Sequence, residues 1–159
     1  MKDIKQIYLN GFTLIEVVVV LVILGILSAV AIPMTTGGKP KLQARADSIM
    51  NYIVYAQSRS MHTDGQWGIR FEGNSFWMFN NGDIESEVIL PGKKEEKVGL
   101  QNLSTDSATV SFDDWGVPFD NAEGTADARL ESGKQIDLNM DGEQKTIFIA
   151  PNTGFVRCQ

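Results

Sequence analysis

The stretch that decides the fold reads GFTLIE at residues 11–16 and continues as VVVVLVILGILSAVAI at residues 17–32. From Gln6 to Gly38 the sequence contains a single charged residue, Glu16. As an α-helix, the 21 residues from Phe12 to Ile32 would be about 31 Å long, which matches the hydrocarbon core of a bilayer. Inside lipid, a single segment can pair its own backbone polar groups only as a helix. The sequence therefore predicts a transmembrane helix over residues 12–33.

Two other interpretations of this segment stay open on the residues alone. A secretory signal peptide would begin with basic residues such as Lys2 and Lys5, but its apolar region is usually about 7 to 15 residues long. Residues 28–31 offer only a weak cleavage site for it. A simple membrane anchor would explain the length. Neither interpretation explains Glu16, a carboxylate near the start of an apolar helix, or Gly11 just before that helix.

The charge of the chain is unevenly distributed. Residues 1–45 carry a net charge of +3 and residues 46–159 carry −9, which together give the total of −6. A domain this acidic is a poor candidate for binding nucleic acid, which requires clustered Lys and Arg. One cysteine, Cys158, excludes an internal disulfide framework and a cysteine-based zinc site. One histidine, His62, excludes any site that needs two.

After the apolar segment, the pattern predicts a break and then a second helix. Pro33 and Pro40, with Thr and Gly residues between them, predict a weakened or broken stretch near residues 34–40. Helical periodicity returns at Lys41 and ends near Asp64-Gly65. Its apolar stripe consists of Leu42, Ala46, Ile49, Ile53 and Ala56.

Past Gly65 the periodicity becomes that of β-strands. Short strands are predicted at residues 67–71, 76–79, 88–90, 98–103, 108–112, 135–140, 146–149 and 154–157, and residues 93–97 are predicted to be a solvated charged loop. Strands that follow one helix indicate an α+β fold with antiparallel sheets, in which the helix stripe covers one face.

Two sets of residues resemble a known family. The stretch Gly11–Glu16, with its basic leader, its apolar run and Pro33, resembles the class III signal of type IV pilins and type II secretion pseudopilins. The segments 111–116 and 147–156 are similar to those of the GspH/FimT group of minor pseudopilins and pilins. The resemblance implies a pilin-like α+β fold, in which a long N-terminal helix, transmembrane in its first half, packs on antiparallel β-sheets.

The resemblance also implies how the chain is processed and organised. A prepilin peptidase would cut between Gly11 and Phe12 and methylate the new amine of Phe12. Residues 1–11 would be the cleaved leader and residues 12–33 the transmembrane helix in the bacterial inner membrane. Residues 34–65 would be a hinge and a periplasmic amphipathic helix, and residues 66–159 a β-rich globular domain in the periplasm.

Glu16 acquires a physical role in this arrangement. An ionised carboxylate in hydrocarbon is costly unless it is paired. The freed amine of Phe12 on a neighbouring subunit would be a suitable partner and would fix the stagger between subunits. The alternative is that Glu16 simply lies in the headgroup zone. Thr13 is expected to cap the start of the helix.

Candidate catalytic and metal sites are few. The residues Asp113, Asp114, Asp120, Glu123 and Asp127 form a weak candidate for calcium, although their spacing does not fit an EF-hand, and a solvated acidic loop is the simpler interpretation. His62 is expected at the surface. Cys158 could pair with another chain or remain free. No cofactor and no enzymatic activity are expected.

The sequence therefore predicts a structural subunit, specifically a minor pseudopilin of a type II secretion pseudopilus that supports protein export. The alternative is a minor pilin of a type IV pilus, acting in pilus assembly or DNA uptake, although DNA is an unfavoured partner. The implied partners are other pseudopilins or pilins, the prepilin peptidase, the inner-membrane assembly platform and membrane lipid.

Overall fold

A computed structural model of the chain describes residues 12–31 and 38–159, which belong to two compact units. In the first unit, helix α1 (Leu14–Ala31) has 18 residues, and Glu16 is its only charged residue. The second unit runs from Gly38 to Gln159 and is called the β domain below. It begins with helix α2 (Gly38–His62), which has 25 residues.

Part of the predicted break at residues 34–40 is wrong, because residues 38–40 already belong to α2. The helix begins at Gly38, three residues before Lys41, and contains Pro40 in its first turn. Proline is tolerated there because the first N–H groups of a helix have no partner within the helix. The rest of the predicted break, residues 34–37, and Pro33 lie outside the described residues.

Antiparallel strands follow α2 in two sheets. The strands are β1 (Trp67–Glu72), β2 (Ser75–Asn80), β3 (Asp83–Val88), β4 (Val98–Gly99), β5 (Leu103–Thr105), β6 (Ala108–Phe112), β7 (Pro118–Phe119), β8 (Lys134–Met140), β9 (Glu143–Ile149) and β10 (Val156–Cys158). The first sheet has the order β3-β2-β1-β6-β7, and β4 also pairs with β2. The second sheet has the order β10-β9-β8-β5. The predicted α+β arrangement is thus confirmed.

Several strands differ from the prediction; β9, for example, starts at Glu143 rather than at residue 146. The predicted strand 98–103 is two strands in different sheets, because Gln101 and Asn102 have positive φ angles of 26° and 62° and turn the chain between them. Strand β3 covers residues 83–88 rather than 88–90. Strand β7 was not predicted at all, since it has two residues.

The core of the β domain joins α2 to both sheets. The predicted stripe of α2 is fully buried, and it packs in one cluster with residues of both sheets, among them Ile69, Phe112, Leu138 and Ile147. Ser60 continues the stripe one turn beyond Ala56 and is also fully buried.

Two hydrogen bonds satisfy the buried hydroxyl of Ser60. It donates to the carbonyl oxygen of Phe112 at 2.7 Å and accepts from the N–H of Trp67 at 2.8 Å. The helix is therefore tied to neighbouring strands β1 and β6 by hydrogen bonds as well as by apolar packing.

Candidate functional site

The first candidate site is the start of α1. The carbonyl oxygen of Thr13 accepts the N–H groups of Glu16 and Val17 at 3.1 and 3.3 Å, and the Thr13 hydroxyl lies 3.4 Å from the Glu16 nitrogen. This is the geometry of a helix N-cap, as predicted for Thr13. The carboxylate of Glu16 lies in the first turn, where the positive end of the helix dipole favours a negative charge.

One face of α1 places this carboxylate among apolar side chains. Glu16 and Val20 are four residues apart and so share a face of the helix, and Phe12, which precedes the helix, lines the same surface depression. All three are exposed, and Phe12 is 81% exposed. The predicted partner residues Phe12 and Glu16 are thus accessible to another molecule. Gly11, the other residue of the predicted cleavage site, lies outside the described residues.

The rest of α1 is apolar and is not buried among the described residues. Its large apolar side chains from Leu14 to Leu27 are all exposed, on every face of the helix. A helix that is apolar all round is normally buried by other chains or by lipid. Among the residues that the structure describes, no helix is both long and apolar enough to cross a membrane.

The structure does not gather the candidate calcium residues into one site. Asp113 accepts hydrogen bonds from the N–H groups of Trp115 and Val117 at 3.0 and 2.8 Å, which shape the loop before β7. Asp120 pairs with the ammonium group of Lys134. Within residues 12–31 and 38–159, no group of three His, Cys, Asp or Glu side chains could hold a metal ion.

Other acidic and basic groups make local pairs. A hydrogen bond from the Thr125 hydroxyl lowers the pKa of Asp127. The pKa of Lys97 is raised, chiefly because its ammonium donates to the Glu87 carboxylate at 2.9 Å. Burial lowers the pKa of Lys134, even though its ammonium pairs with Asp120.

His62 and Cys158 show no catalytic arrangement. His62 is exposed at the end of α2, and its Nδ1 lies 2.7 Å from the Ser58 carbonyl oxygen. Cys158, the single cysteine of the chain, is free and half-buried in β10. Among the residues that the structure describes, neither side chain bonds to a second side chain of the kind that would activate it.

The exposure of Trp115 was not predicted from the sequence. Its side chain is 83% exposed on the loop between β6 and β7, and the neighbouring Phe155 is 64% exposed between β9 and β10. The sequence analysis used both residues only as parts of the family resemblance. A tryptophan among Asp and Gly residues in a loop was the available signal, since such a loop has few apolar neighbours to bury it.

The described helix and domain agree with two comparisons. Residues 10–32 match the prokaryotic N-terminal methylation motif. This motif covers Phe12, Glu16 and all of α1, and an α+β domain with antiparallel sheets follows it. Motif and fold together define a pilin-like protein.

The fold of the chain resembles that of a solved type IV minor pilin. The chain is similar to the crystal structure of the minor pilin FimU of Pseudomonas aeruginosa, with a TM-score of 0.52 and 13% identity over 76% of this chain and 90% of that one. A second crystal form of FimU gives a TM-score of 0.48 and 12% identity over 74% and 91% of the two chains. At these identities the likeness concerns the fold alone. No curated protein sequence matches the chain significantly.

Proposed function

We propose that the chain is a minor pseudopilin of the GspH/FimT group, a structural subunit of the periplasmic pseudopilus of a type II secretion system. The observation that carries the proposal is a methylation motif on a helix whose large apolar side chains are all exposed. Such a helix requires a surrounding of lipid or of similar helices. The β domain has its own core and does not need that surrounding to bury its apolar residues.

In this proposal, residues 12–33 first anchor the chain in the bacterial inner membrane as a single span. The prepilin peptidase removes residues 1–11 and methylates the amine of Phe12. The β domain lies in the periplasm. The inner-membrane assembly platform then moves the apolar helix from lipid into a filament, where helices of other pseudopilins replace the lipid.

Glu16 supplies the specificity of this assembly. In a surface depression that Phe12 and Val20 also line, its carboxylate is exposed to the neighbouring helix, where the methylated amine of another Phe12 would neutralise it. Pairing relieves the cost of both charges in an apolar surrounding. No chemical reaction is required of the subunit itself.

A second candidate function is that of a minor pilin of a type IV pilus. The likeness to FimU, which is described as a type IV minor pilin, favours it. The net charge of −9 on residues 46–159 weighs against the variant of this function that takes up DNA. Deleting the gene in the native host and following both protein export and surface pili separates the two functions.

The processing and the pairing are tested in the native host. The mature chain is expected to begin at methylated Phe12, and Gly11→Val should accumulate as an uncut precursor in mass spectrometry. Glu16→Ala should be cleaved and retained in the membrane but fail to enter filaments, whereas Glu16→Asp should retain part of that activity. A chain that keeps Met1 and crosses no membrane, or normal filament entry by Glu16→Ala, would overturn the corresponding part of the proposal.

A further inference from the structure

Three surface depressions border the first turns of α2, and cations line all of them. The first lies between Arg45 and the loop between β3 and β4, and the second adjoins it at Arg45 and Gln101. The third lies between the start of α2 and the start of β9. Six of the lining cations are called the basic surface below: Lys39, Lys41 and Arg45 of α2, Lys93 and Lys94 of the β3–β4 loop, and Lys145 of β9.

The basic surface lies on a domain that is acidic overall. Residues 38–159 contain 12 Lys and Arg residues and 18 Asp and Glu residues. More than half of these cations line the three depressions, but only three of the carboxylates do: Glu95, Asp141 and Glu143. A seventh lining cation, Lys97, is left out of the basic surface because its ammonium donates to the Glu87 carboxylate at 2.9 Å. Positive charge is therefore concentrated where α2 begins.

The cations of the basic surface are weakly engaged by the described part of the chain. Five of the six make no salt bridge among residues 12–31 and 38–159. Arg45, one of these five, donates to the side-chain oxygen of Gln101, a neutral amide, at 3.2 Å. Lys39 lies 3.8 Å from Glu143, but both side chains are well exposed, so water and salt screen this pair. The basic surface can therefore bind anions supplied by another molecule.

The chemistry of the basic surface fits charged headgroups better than another protein domain. The large apolar side chains that the described part of the β domain exposes lie elsewhere: none of Val54, Met61, Ile89, Trp115 and Phe155 lines the three depressions. Protein interfaces owe most of their binding energy to aromatic and apolar anchors near their centre. A surface with several cations and no such anchor is instead suited to a layer of phosphate groups.

The position of the basic surface in the sequence also favours lipid. Lys39, Lys41 and Arg45 follow the apolar stretch 12–32, and only residues 33–38 separate that stretch from Lys39. In the proposed function the apolar stretch lies in the bilayer, so these cations follow the point at which the chain leaves lipid. Clustered Lys and Arg residues next to a membrane span are attracted to anionic headgroups. Covalent attachment to the span gives a high effective concentration, so individually weak contacts suffice.

We propose that the basic surface binds the phosphate groups of anionic phospholipids in the membrane that holds residues 12–33. The ammonium groups and the guanidinium of Arg45 donate charge-assisted hydrogen bonds to the headgroup phosphates. This inference rests on the proposed function and assigns the lipid partner of the β domain in it.

The lipid contact would act on assembly. It is available while the chain is anchored in the bilayer and is lost when the subunit leaves the membrane surface. Since the contact stabilises the anchored state alone, anionic lipid would shift the equilibrium away from filament entry. The membrane would thus hold unassembled subunits with the start of α2 against the headgroups.

Paramagnetic relaxation in nanodiscs tests the contact on the full chain. The ¹⁵N-labelled chain is placed in discs of phosphatidylcholine alone or with about one quarter phosphatidylglycerol, both with a trace of lipid that carries a nitroxide on its choline headgroup and adds no net charge. Amide signals of residues 39–45, 93–99 and 141–145 should relax at least about fivefold faster by the nitroxide in the anionic discs, the factor typical of one headgroup-bound cation. About 0.5 M salt should remove the difference, because it screens exposed charges.

Charge reversal with a matched control supplies the second test. The double variant Lys93→Glu/Lys94→Glu should lose at least about fivefold of the anionic enhancement. Arg129→Glu/Arg157→Glu changes the net charge equally, at exposed positions that line none of the three depressions, and should retain it. Unchanged amide signals of the core strands show that both double variants are folded.

The outcomes separate this inference from the proposed function. A chain that enters the discs but relaxes equally in neutral and anionic lipid leaves the proposed function standing and shows that the lipid contact is wrong. Equal losses in the two double variants, or the same amide shifts with soluble glycerol phosphate in neutral discs, would also overturn it, since either excludes a specific headgroup surface. Binding of a short DNA duplex that persists in anionic discs would identify a nucleic-acid surface instead. A chain that does not enter the discs contradicts the proposed function itself.

Discussion

Helix α1 and the β domain place similar apolar residues in opposite surroundings. Phe12 in the N-terminal segment is 81% exposed, whereas Phe112 in β6 is fully buried. The β domain buries its apolar side chains in one cluster between α2 and the two sheets. In α1 the apolar side chains have no such cluster, and only one charged residue interrupts them.

This difference separates two sources of stability. The β domain gains its folding free energy from contacts within the chain, so mutations there should change its unfolding. The apolar side chains of α1 are exposed among the described residues, so contacts with other molecules would stabilise this helix. Mutations in α1 should therefore change assembly and leave the unfolding of the β domain unaltered.

The largest expected effect comes from a matched pair of phenylalanine substitutions. Phe112→Ala should lower the free energy of unfolding of the β domain by about 3–5 kcal/mol, because it leaves a cavity in the core. Phe12→Ala should leave it unchanged. Urea unfolding of the full chain in detergent, followed by tryptophan fluorescence, measures both; equal losses in the two variants would contradict the separation.

The next effect concerns the buried hydroxyl that joins α2 to the first sheet. Ser60→Ala removes the partner of the Trp67 N–H and one partner of the Phe112 carbonyl, and should cost about 1–3 kcal/mol. Ser58→Ala, at an exposed position of the same helix, should cost less than about 0.5 kcal/mol. If the two variants unfold at the same urea concentration, the bonds of Ser60 contribute nothing to stability.

A smaller effect is expected where Gln57 of α2 holds the β6–β7 and β9–β10 loops. Gln57→Ala should cost about 1 kcal/mol and accelerate amide exchange at residues 115–117 and 153–155. The control is Gln43→Ala, whose side chain bonds to Asp47 within the same helix. Unchanged exchange in the loops of Gln57→Ala would show that other contacts fix them.

The smallest effect is a dependence on pH at Lys134. Burial, with the nearby Arg70 acting in the same direction, lowers the pKa of Lys134 from its ordinary value of 10.5. As the pH rises towards that value, the folded chain loses the proton before the unfolded chain does, so the β domain becomes more stable. Wild type should therefore gain stability relative to Lys134→Met between about pH 7 and pH 10.5, and a constant difference would contradict it.

The sequence predicted those parts of the fold that follow from periodic apolar residues. The stripe of α2 and the strands β1, β2, β6 and β8 were found because burial repeats with the period of the helix or strand. Strand β3 was placed wrongly because Asp83, Glu85 and Glu87 make it polar on its exposed side. Ser60 was not predicted as a core residue because serine is polar and does not contribute to a pattern of apolar residues. Its two hydrogen bonds nevertheless make it part of the core.

The candidate sites could be predicted from the sequence only where their residues are close together in the chain. The motif around Phe12 and Glu16 is local, so a short stretch of sequence was enough to predict it. Trp115 and Phe155 lie in two loops that Gln57 joins by hydrogen bonds, and only the folded chain brings these loops together. The calcium hypothesis relied on composition, and the structure instead engages Asp113 and Asp120 in separate local bonds.

The attachment of α2 to both sheets also has a mechanical consequence. A pull on the chain at Gly38 enters the β domain through α2, whose stripe contacts both sheets and whose Ser60 is bonded to β1 and β6. The force is then distributed in shear over many side chains and does not peel a single strand from the edge of a sheet. A force applied at Gly38 should therefore move the β domain as one rigid body.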